Sequence, residues 1–218
     1  MRLTLIAACL VLPVAAQADC VTLYDMTHMP GATLTTQQGS VEIGRWGTTD
    51  HTMREGKAIY QDKAGKTDHW RVFRGGVFET EEYWNYEDPK TGALMLVDLQ
   101  RKFSGRLPKI EPGKSWETMA TDRISVHNKL TGEDTKTTEK LTVTYSFLPA
   151  KQVKISGCSY ETIPVEATLA GDQTRLTRRF IYFPALEAGI VTREQDHVKG
   201  TEVKNGITGM ASWKELHP

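Results

Sequence analysis

Apolar and polar residues alternate along much of this chain with a period of two. The clearest case is Leu141-Thr-Val-Thr-Tyr-Ser-Phe147, where Leu141, Val143, Tyr145 and Phe147 fall on one face and Thr142, Thr144 and Ser146 on the other. One buried and one wetted face suit an antiparallel sheet. Similar strands are expected at 32–46, 57–62, 68–74, 77–86, 93–102, 122–128, 151–156, 160–169, 175–183 and 189–195. Gly157 makes a turn, and the strand after it should place Val165, Ala167 and Leu169 inward. Turn signals such as Gln38-Gly39, Gly75-Gly76, Asp88-Pro-Lys-Thr-Gly92, Leu130-Thr-Gly132 and Gly171-Asp172 punctuate the chain with no linker or repeat. Helical periodicity is weak, and its best candidate is a short turn from Gly209 to Leu216. The predicted fold class is therefore all-β: a single domain of about ten antiparallel strands with little helix. A sheet that wide curls, closes or splits, which leaves a curved sheet, a partial barrel or a sandwich.

The first eighteen residues read differently. Arg2, an apolar run from Leu3 to Ala16 and the exit Ala16-Gln17-Ala18 are the three parts of a secretory signal peptide. The run is too short to span a bilayer, Pro13 interrupts it, and no later apolar run approaches membrane length. Cleavage after Ala18 leaves a β-rich domain of residues 19–218, destined for the periplasm or for secretion. A lipid anchor on Cys20 is the lesser alternative, because Asp19 stands where lipoprotein signals place a small residue.

Composition narrows the partners. The chain has 27 Lys+Arg and 27 Asp+Glu, so loss of Arg2 leaves it near neutrality, without the basic excess of a nucleic-acid binder. Of three cysteines, Cys9 leaves with the signal. Cys20 and Cys158 remain, and in an oxidising compartment a disulfide between them is the expected pairing. Closing so long a loop contributes at most about 5 kcal/mol on chain-entropy arguments.

Four stretches carry candidate chemistry. Met26, His28 and Met29 offer two thioethers and an imidazole within four residues, a donor set suited to Cu(I), and His51 and Met53 repeat the pairing. The competing reading is methionine packing beneath a loop that ends at Pro30-Gly31. Glu79, Glu81, Glu82, Glu87 and Asp88 surround Tyr83-Trp84-Asn85-Tyr86; strict alternation puts Glu79 with Glu81, Tyr83 and Asn85, and Glu82 with Trp84 and Tyr86. Acids beside aromatic rings suit a carbohydrate-active or hydrolytic enzyme, or else a charged strand surface. Arg175, Arg178, Arg179 and Arg193 are the main basic concentration, with Arg175 and Arg179 on one face and Arg178 on the other; with Tyr182 they form a candidate ligand-binding set for an anionic or headgroup moiety. No Gly-x-Ser-x-Gly elbow, phosphate-binding loop or dinucleotide fingerprint is present, and no catalytic residue is assigned.

Leu107-Pro-Lys-Ile-Glu-Pro-Gly-Lys-Ser-Trp116, the turn at Ile155–Glu161, and Tyr182-Phe-Pro-Ala-Leu186 with Gly189-Ile-Val191 resemble motifs of exported β-sheet proteins of the DUF3108 and TapB-like kind. The resemblance spans 107–193. Cys158 stands where those families place a threonine, and Gly157 lacks their preceding Pro-Ala. It implies a curved antiparallel sheet with an envelope-associated binding or assembly role, and it transfers no catalytic residue. The leading expectation is a non-catalytic exported protein that holds an apolar or lipid-like ligand or an envelope partner, without a cofactor. Copper binding and hydrolysis stand as the alternatives.

Overall fold

The computed structural model describes residues 19–28, 31–45, 55–62 and 67–212. Residues 1–18, where a signal peptide is expected, and Met29, His51 and Met53 lie outside them. A one-turn helix α1 (Leu23–Thr27) opens the described chain, followed by β1 (Ala32–Thr36), β2 (Gly39–Arg45), β3 (Glu55–Asp62), β4 (Thr67–Arg74) and β5 (Phe78–Glu87). Next come β6 (Leu94–Phe103), β7 (Ser115–Asn128), β8 (Asp134–Phe147), β9 (Lys151–Ile155) and β10 (Cys158–Ala170). The chain finishes with β11 (Arg175–Phe183), a 3-10 turn at Pro184–Leu186, β12 (Ala188–Asp196), β13 (Thr201–Lys204) and β14 (Ile207–Ser212).

All fourteen strands belong to one antiparallel sheet of order β13-β12-β11-β10-β8-β7-β6-β5-β4-β3-β2-β1-β14, with β9 paired to the first half of β10. The two ends of that path, β13 and β14, are not paired with each other. Yet they are consecutive in sequence, joined only by Asn205-Gly206. The sheet must therefore roll until its edges meet at this two-residue link. One bent segment pairs with β12 before the link and with β1 after it. Backbone bonds from Asn205 N–H to Thr192 O (2.8 Å) and from Gln37 N–H to Gly206 O (3.1 Å) fix the seam. At the other end of the seam Met210 N–H donates to Ser156 Oγ at 2.9 Å. The result is a rolled sheet that is not hydrogen-bonded into a closed barrel.

The inward faces follow the alternation. Leu141, Val143, Tyr145 and Phe147 are buried, as are Val165, Ala167 and Leu169. Phe78 is at the centre of the aromatic packing, its ring 5.0 Å from Tyr145, 5.5 Å from Trp116 and 6.2 Å from Phe147, all edge-on or steeply inclined. The first turns of the chain pack against this apolar half. Met26 is buried in it, Val21 N–H donates to the Tyr160 hydroxyl at 3.0 Å, and Cys20 is bonded to Cys158 with a Cα–Cα distance of 5.6 Å. Ser156 and Gly157 both have positive φ, which gives the β9–β10 hairpin the twist of a primed two-residue turn and delivers Cys158 to the bridge.

Three expectations need correction. The stretch 32–46 is two strands, β1 and β2, broken at Gln37-Gln38. β7 and β8 begin seven residues earlier than expected, at Ser115 and Asp134: the added part of β8 is the solvated outer end of their hairpin, with few apolar residues, whereas the added part of β7 lies at the other end, paired with residues 140–146. The described part of the helical candidate at Gly209–Leu216 is strand, within β14 (Ile207–Ser212), and residues 213–216 lie outside the described residues. Gly209 disfavours helix there, and the open edge of β1 supplies backbone partners.

Candidate functional site

Seven charged side chains occupy the inside of the roll. Six of them form three pairs set by strand register: Arg71 of β4 opposite Glu82 of β5, Arg101 of β6 opposite Asp122 of β7, and Arg178 of β11 opposite Glu194 of β12. Arg71 Nε and Nη2 donate to Glu82 Oε1 at 2.8 and 2.6 Å. Arg101 holds both oxygens of Asp122, at 2.8 and 2.7 Å, in the two-pronged geometry that favours arginine over lysine. Arg178 Nε donates to Glu194 Oε2 at 2.6 Å.

Glu79, at 1% exposure, is the hub. Its Oε1 accepts from Arg101 Nη1 at 3.1 Å and from Arg178 Nη1, while Oε2 lies 3.4 Å from Arg71 Nε, close enough for charge attraction but outside hydrogen-bond geometry. Two further bonds span the interior. Arg178 Nη2 donates to Glu82 Oε2 at 2.8 Å and Arg71 Nη2 to Glu194 Oε2 at 2.7 Å. These join β11 and β12 to β4 and β5, strands separated along the sheet by β10, β8, β7 and β6. The network is an internal brace between opposite walls.

A bulge makes this possible. Strict alternation would set Glu79 and Glu82 on opposite faces, but the β4–β5 register shifts between Val72 and Phe73, so Glu79 pairs with Phe73 and Glu82 with Arg71. Both carboxylates then point inward, contrary to the expected assignment. A second shift, between Arg179 and Phe180, lets Val191 and Glu194 of β12 share the interior with Phe180 and Arg178 of β11.

The brace divides the inside of the roll. On one side lies the apolar core; on the other is a cavity of about 660 Å3. Clefts of roughly 300–1,000 Å3 are typical of small-molecule sites. Arg71, Glu82, Arg101, Asp122, Arg178 and Glu194 form its charged floor, and Leu99, Ile124, Leu176 and Val191 give apolar wall. Tyr60, His69 and Trp84 are cross-strand neighbours on β3, β4 and β5 and line one wall together. The rings of Tyr60 and His69 stack at 4.7 Å, and the Arg71 guanidinium lies 5.4 Å from the Tyr60 ring. His69 Nε2–H donates to Glu82 Oε1 at 2.9 Å, the carboxylate being able only to accept. Around the mouth stand the β1–β2, β10–β11 and β12–β13 hairpins with Gln38, Gln173, Arg175 and Lys199.

The electrostatics keep the floor ionised. Burial alone would raise the Glu82 carboxyl, but Arg178 and Arg71 outweigh it and hold the group well below the usual carboxylate range. Glu194 likewise loses hydration to burial, yet Arg178 and Arg71 pull it down to about 2. The three arginines are partly destabilised by burial and more than compensated by the acids, so each is raised above its ordinary value. Burial also pushes the Tyr60 phenol up, against the nearby Arg71 charge. Tyr60 Oη has no hydrogen-bond partner, and neither has Asn205 Oδ1; both are buried and both belong to cavity residues.

The residues singled out from sequence separate in space. Arg178 is in the floor and Arg175 at the mouth. Arg179 is on the outer face, paired with Glu166 at 2.8 Å. Tyr182 lies at the far end, against the Gly75-Gly76 turn. Of the acidic strand, Glu79 and Glu82 enter the brace, while Glu87 is exposed and Asp88 accepts from Lys90 N–H in a turn. Met26 is in the core, and His28 is exposed with its ring stacked on Tyr24 at 3.8 Å and its Nδ1–H donating to the Tyr24 carbonyl. Among the described residues no three His, Cys, Asp or Glu side chains converge as a metal site, and no helix is long and apolar enough to cross a membrane. Arg71, Arg101, Asp122 and Glu194 were not singled out from sequence, although Arg71, Arg101 and Asp122 share the phase of the buried Phe73, Leu99 and Ala120 on their strands; Glu194 reaches the inside only through the register shift of β12. No family model matches the chain, and neither curated proteins nor solved structures give a match.

Proposed function

We propose that this is an exported, non-catalytic binding protein that holds a small amphipathic molecule in the open end of its rolled sheet. The observation that carries the reading is the cavity itself: about 660 Å3, braced by a charge network that is nearly saturated internally, with two buried polar atoms of its lining residues, Tyr60 Oη and Asn205 Oδ1, left without partners. A buried hydrogen-bonding group without a partner costs about 1–3 kcal/mol, so a bound molecule that satisfies both gains that much relative to a wholly apolar one. The aromatic row and apolar walls supply the remaining contact. The N-terminal signal pattern, the Cys20–Cys158 bridge and the resemblance across 107–193 support export and an envelope role.

Hydrolysis is the weaker reading. Glu82 and Glu194 are each held by two arginines and kept ionised, which leaves neither suited to give up a proton near neutral pH. Ligand-observed NMR against a mixed panel of small organic compounds tests the proposal, with Leu176→Trp as the control that fills the cavity from β11. Compounds should bind the native protein and lose their signal with the variant. Equal behaviour of the two proteins across the panel would remove the cavity as the site.

A further inference from the structure

Resting on that reading, we infer that the cavity takes an uncharged, polyhydroxylated ring compound, the chemistry of a neutral sugar, in preference to an anion, a cation or an acyl chain. The first argument is the state of the floor. Its three guanidiniums face four carboxylates and His69, every guanidinium is committed to at least two of those acids, and the bonds run within the floor itself. An entering anion meets no free cation there, because each arginine of the floor is matched by a carboxylate that lines the same cavity. An entering cation passes Arg175 and Lys199 at the mouth before it reaches carboxylates that are already bonded. Either ion would have to displace an arginine or an acid from the brace between opposite walls.

The second argument is the chemistry left available. Among the residues that line the cavity, the unpartnered buried atoms are a phenol oxygen on Tyr60 and an amide oxygen on Asn205, both neutral, the third such atom, Glu79 Oε2, lying behind the lining; Tyr60 is kept protonated by its surroundings. A hydroxyl group donates and accepts, so it satisfies either. An acyl chain satisfies neither. The third argument is shape. Tyr60, His69 and Trp84 stand in register on three adjacent strands, with Tyr60 and His69 stacked ring against ring, which gives the wall an aromatic surface beside the neutral amide of Asn85. Sugar rings present apolar C–H faces to such a surface and turn their hydroxyls outward to amides.

Isothermal titration calorimetry with maltose and cellobiose, set against glucose 6-phosphate, glucosamine and laurate at one ionic strength, tests the assignment. A neutral disaccharide should bind, and at least tenfold more tightly than the charged sugars. Tyr60→Phe deletes one hydroxyl and Asn205→Leu deletes one amide; each should weaken that binding about tenfold, the equivalent of one hydrogen bond, with thermal unfolding unchanged in Tyr60→Phe. Trp84→Phe should retain more of the affinity than Trp84→Ala. Binding of laurate or a charged sugar to the cavity without a neutral sugar would overturn the ligand class while leaving the binding function intact. Binding of none of the five probes would overturn the class as well, and the panel comparison with Leu176→Trp then decides the binding function separately.

Discussion

Replacing Arg178 with alanine removes the side chain that touches more of the brace than any other. Arg178 donates to Glu194, Glu82 and Glu79 and is 4% exposed. Without it four buried carboxylates face two arginines. Glu194 keeps only Arg71, Glu82 keeps Arg71 and His69, and Glu79 keeps Arg101 at 3.1 Å and the distant contact with Arg71. Breaking one partner out of a buried ion pair costs about 3–5 kcal/mol. In a chain of this size each kcal/mol moves the melting point by roughly 2–4 °C, so Arg178→Ala should melt about 10 °C below the native protein. Urea unfolding followed by tryptophan fluorescence and by far-UV circular dichroism gives the free energy directly. The pH dependence supplies an internal check. Glu194 sits at about 2 in the folded native protein, below its ordinary value of 4.5, so it contributes stability that is complete above 4.5 and lost as pH falls from there towards 2. Part of that contribution comes from Arg178. The gap between native and variant should therefore be widest near neutrality and close through that acidic window. A loss below about 1 kcal/mol at neutral pH, or a gap that widens on acidification, would refute the brace as a structural element.

Glu79→Gln keeps the amide oxygen as an acceptor for Arg101 and Arg178 and leaves three arginines with three acids; in the same urea assay it should cost less than half as much as Arg178→Ala. Cys158→Ser should lower stability by about 2–5 kcal/mol under oxidising conditions, and the difference from the native protein should vanish when both are unfolded in excess reductant. Gly189→Ala adds a methyl 2.3 Å from the Gly76 carbonyl oxygen and 3.1 Å from Val77, where two turns meet at the closed end of the roll. Backbone must move to admit it, so the melting point should fall by several degrees, whereas Gly132→Ala, with nothing within 4 Å of the added methyl, should lose less.

How much of this was legible in the sequence depended on which rule each residue obeyed. Leu141 to Phe147 obeyed the alternation throughout, so the strand, its inward face and the all-β class followed. Cys20 and Cys158 were a pair by elimination, and their bridge is present. The brace was half visible. Glu79, Glu82 and Arg178 drew notice as charge clusters, and Arg178 keeps the face that alternation gives it, but a bulge in β5 brings Glu79 and Glu82 to one face and a second in β12 turns Glu194 inward, and a bulge leaves no mark in a period-two pattern. A different signal pointed to the rest. Arg71 is two residues from Phe73, Arg101 two from Phe103, and Asp122 two from Ala120, so each puts a charge in the apolar phase of its strand. Such violations, repeated on neighbouring strands with opposite signs, mark a buried ionic layer. The cavity was not legible at all, because it depends on β13 and β14 meeting at the seam, and both strands are short, β13 being exposed throughout and β14 interrupted by Gly209.

The most direct test of the binding account is native mass spectrometry of the protein, purified without denaturation, beside Leu176→Trp prepared in the same way. The native chain should carry a non-covalent addition of a few hundred daltons that gentle activation releases, and the cavity-filled variant should appear at its bare mass. Bare mass for both, or the same addition on both, would contradict the claim that the open end of the roll is a ligand site.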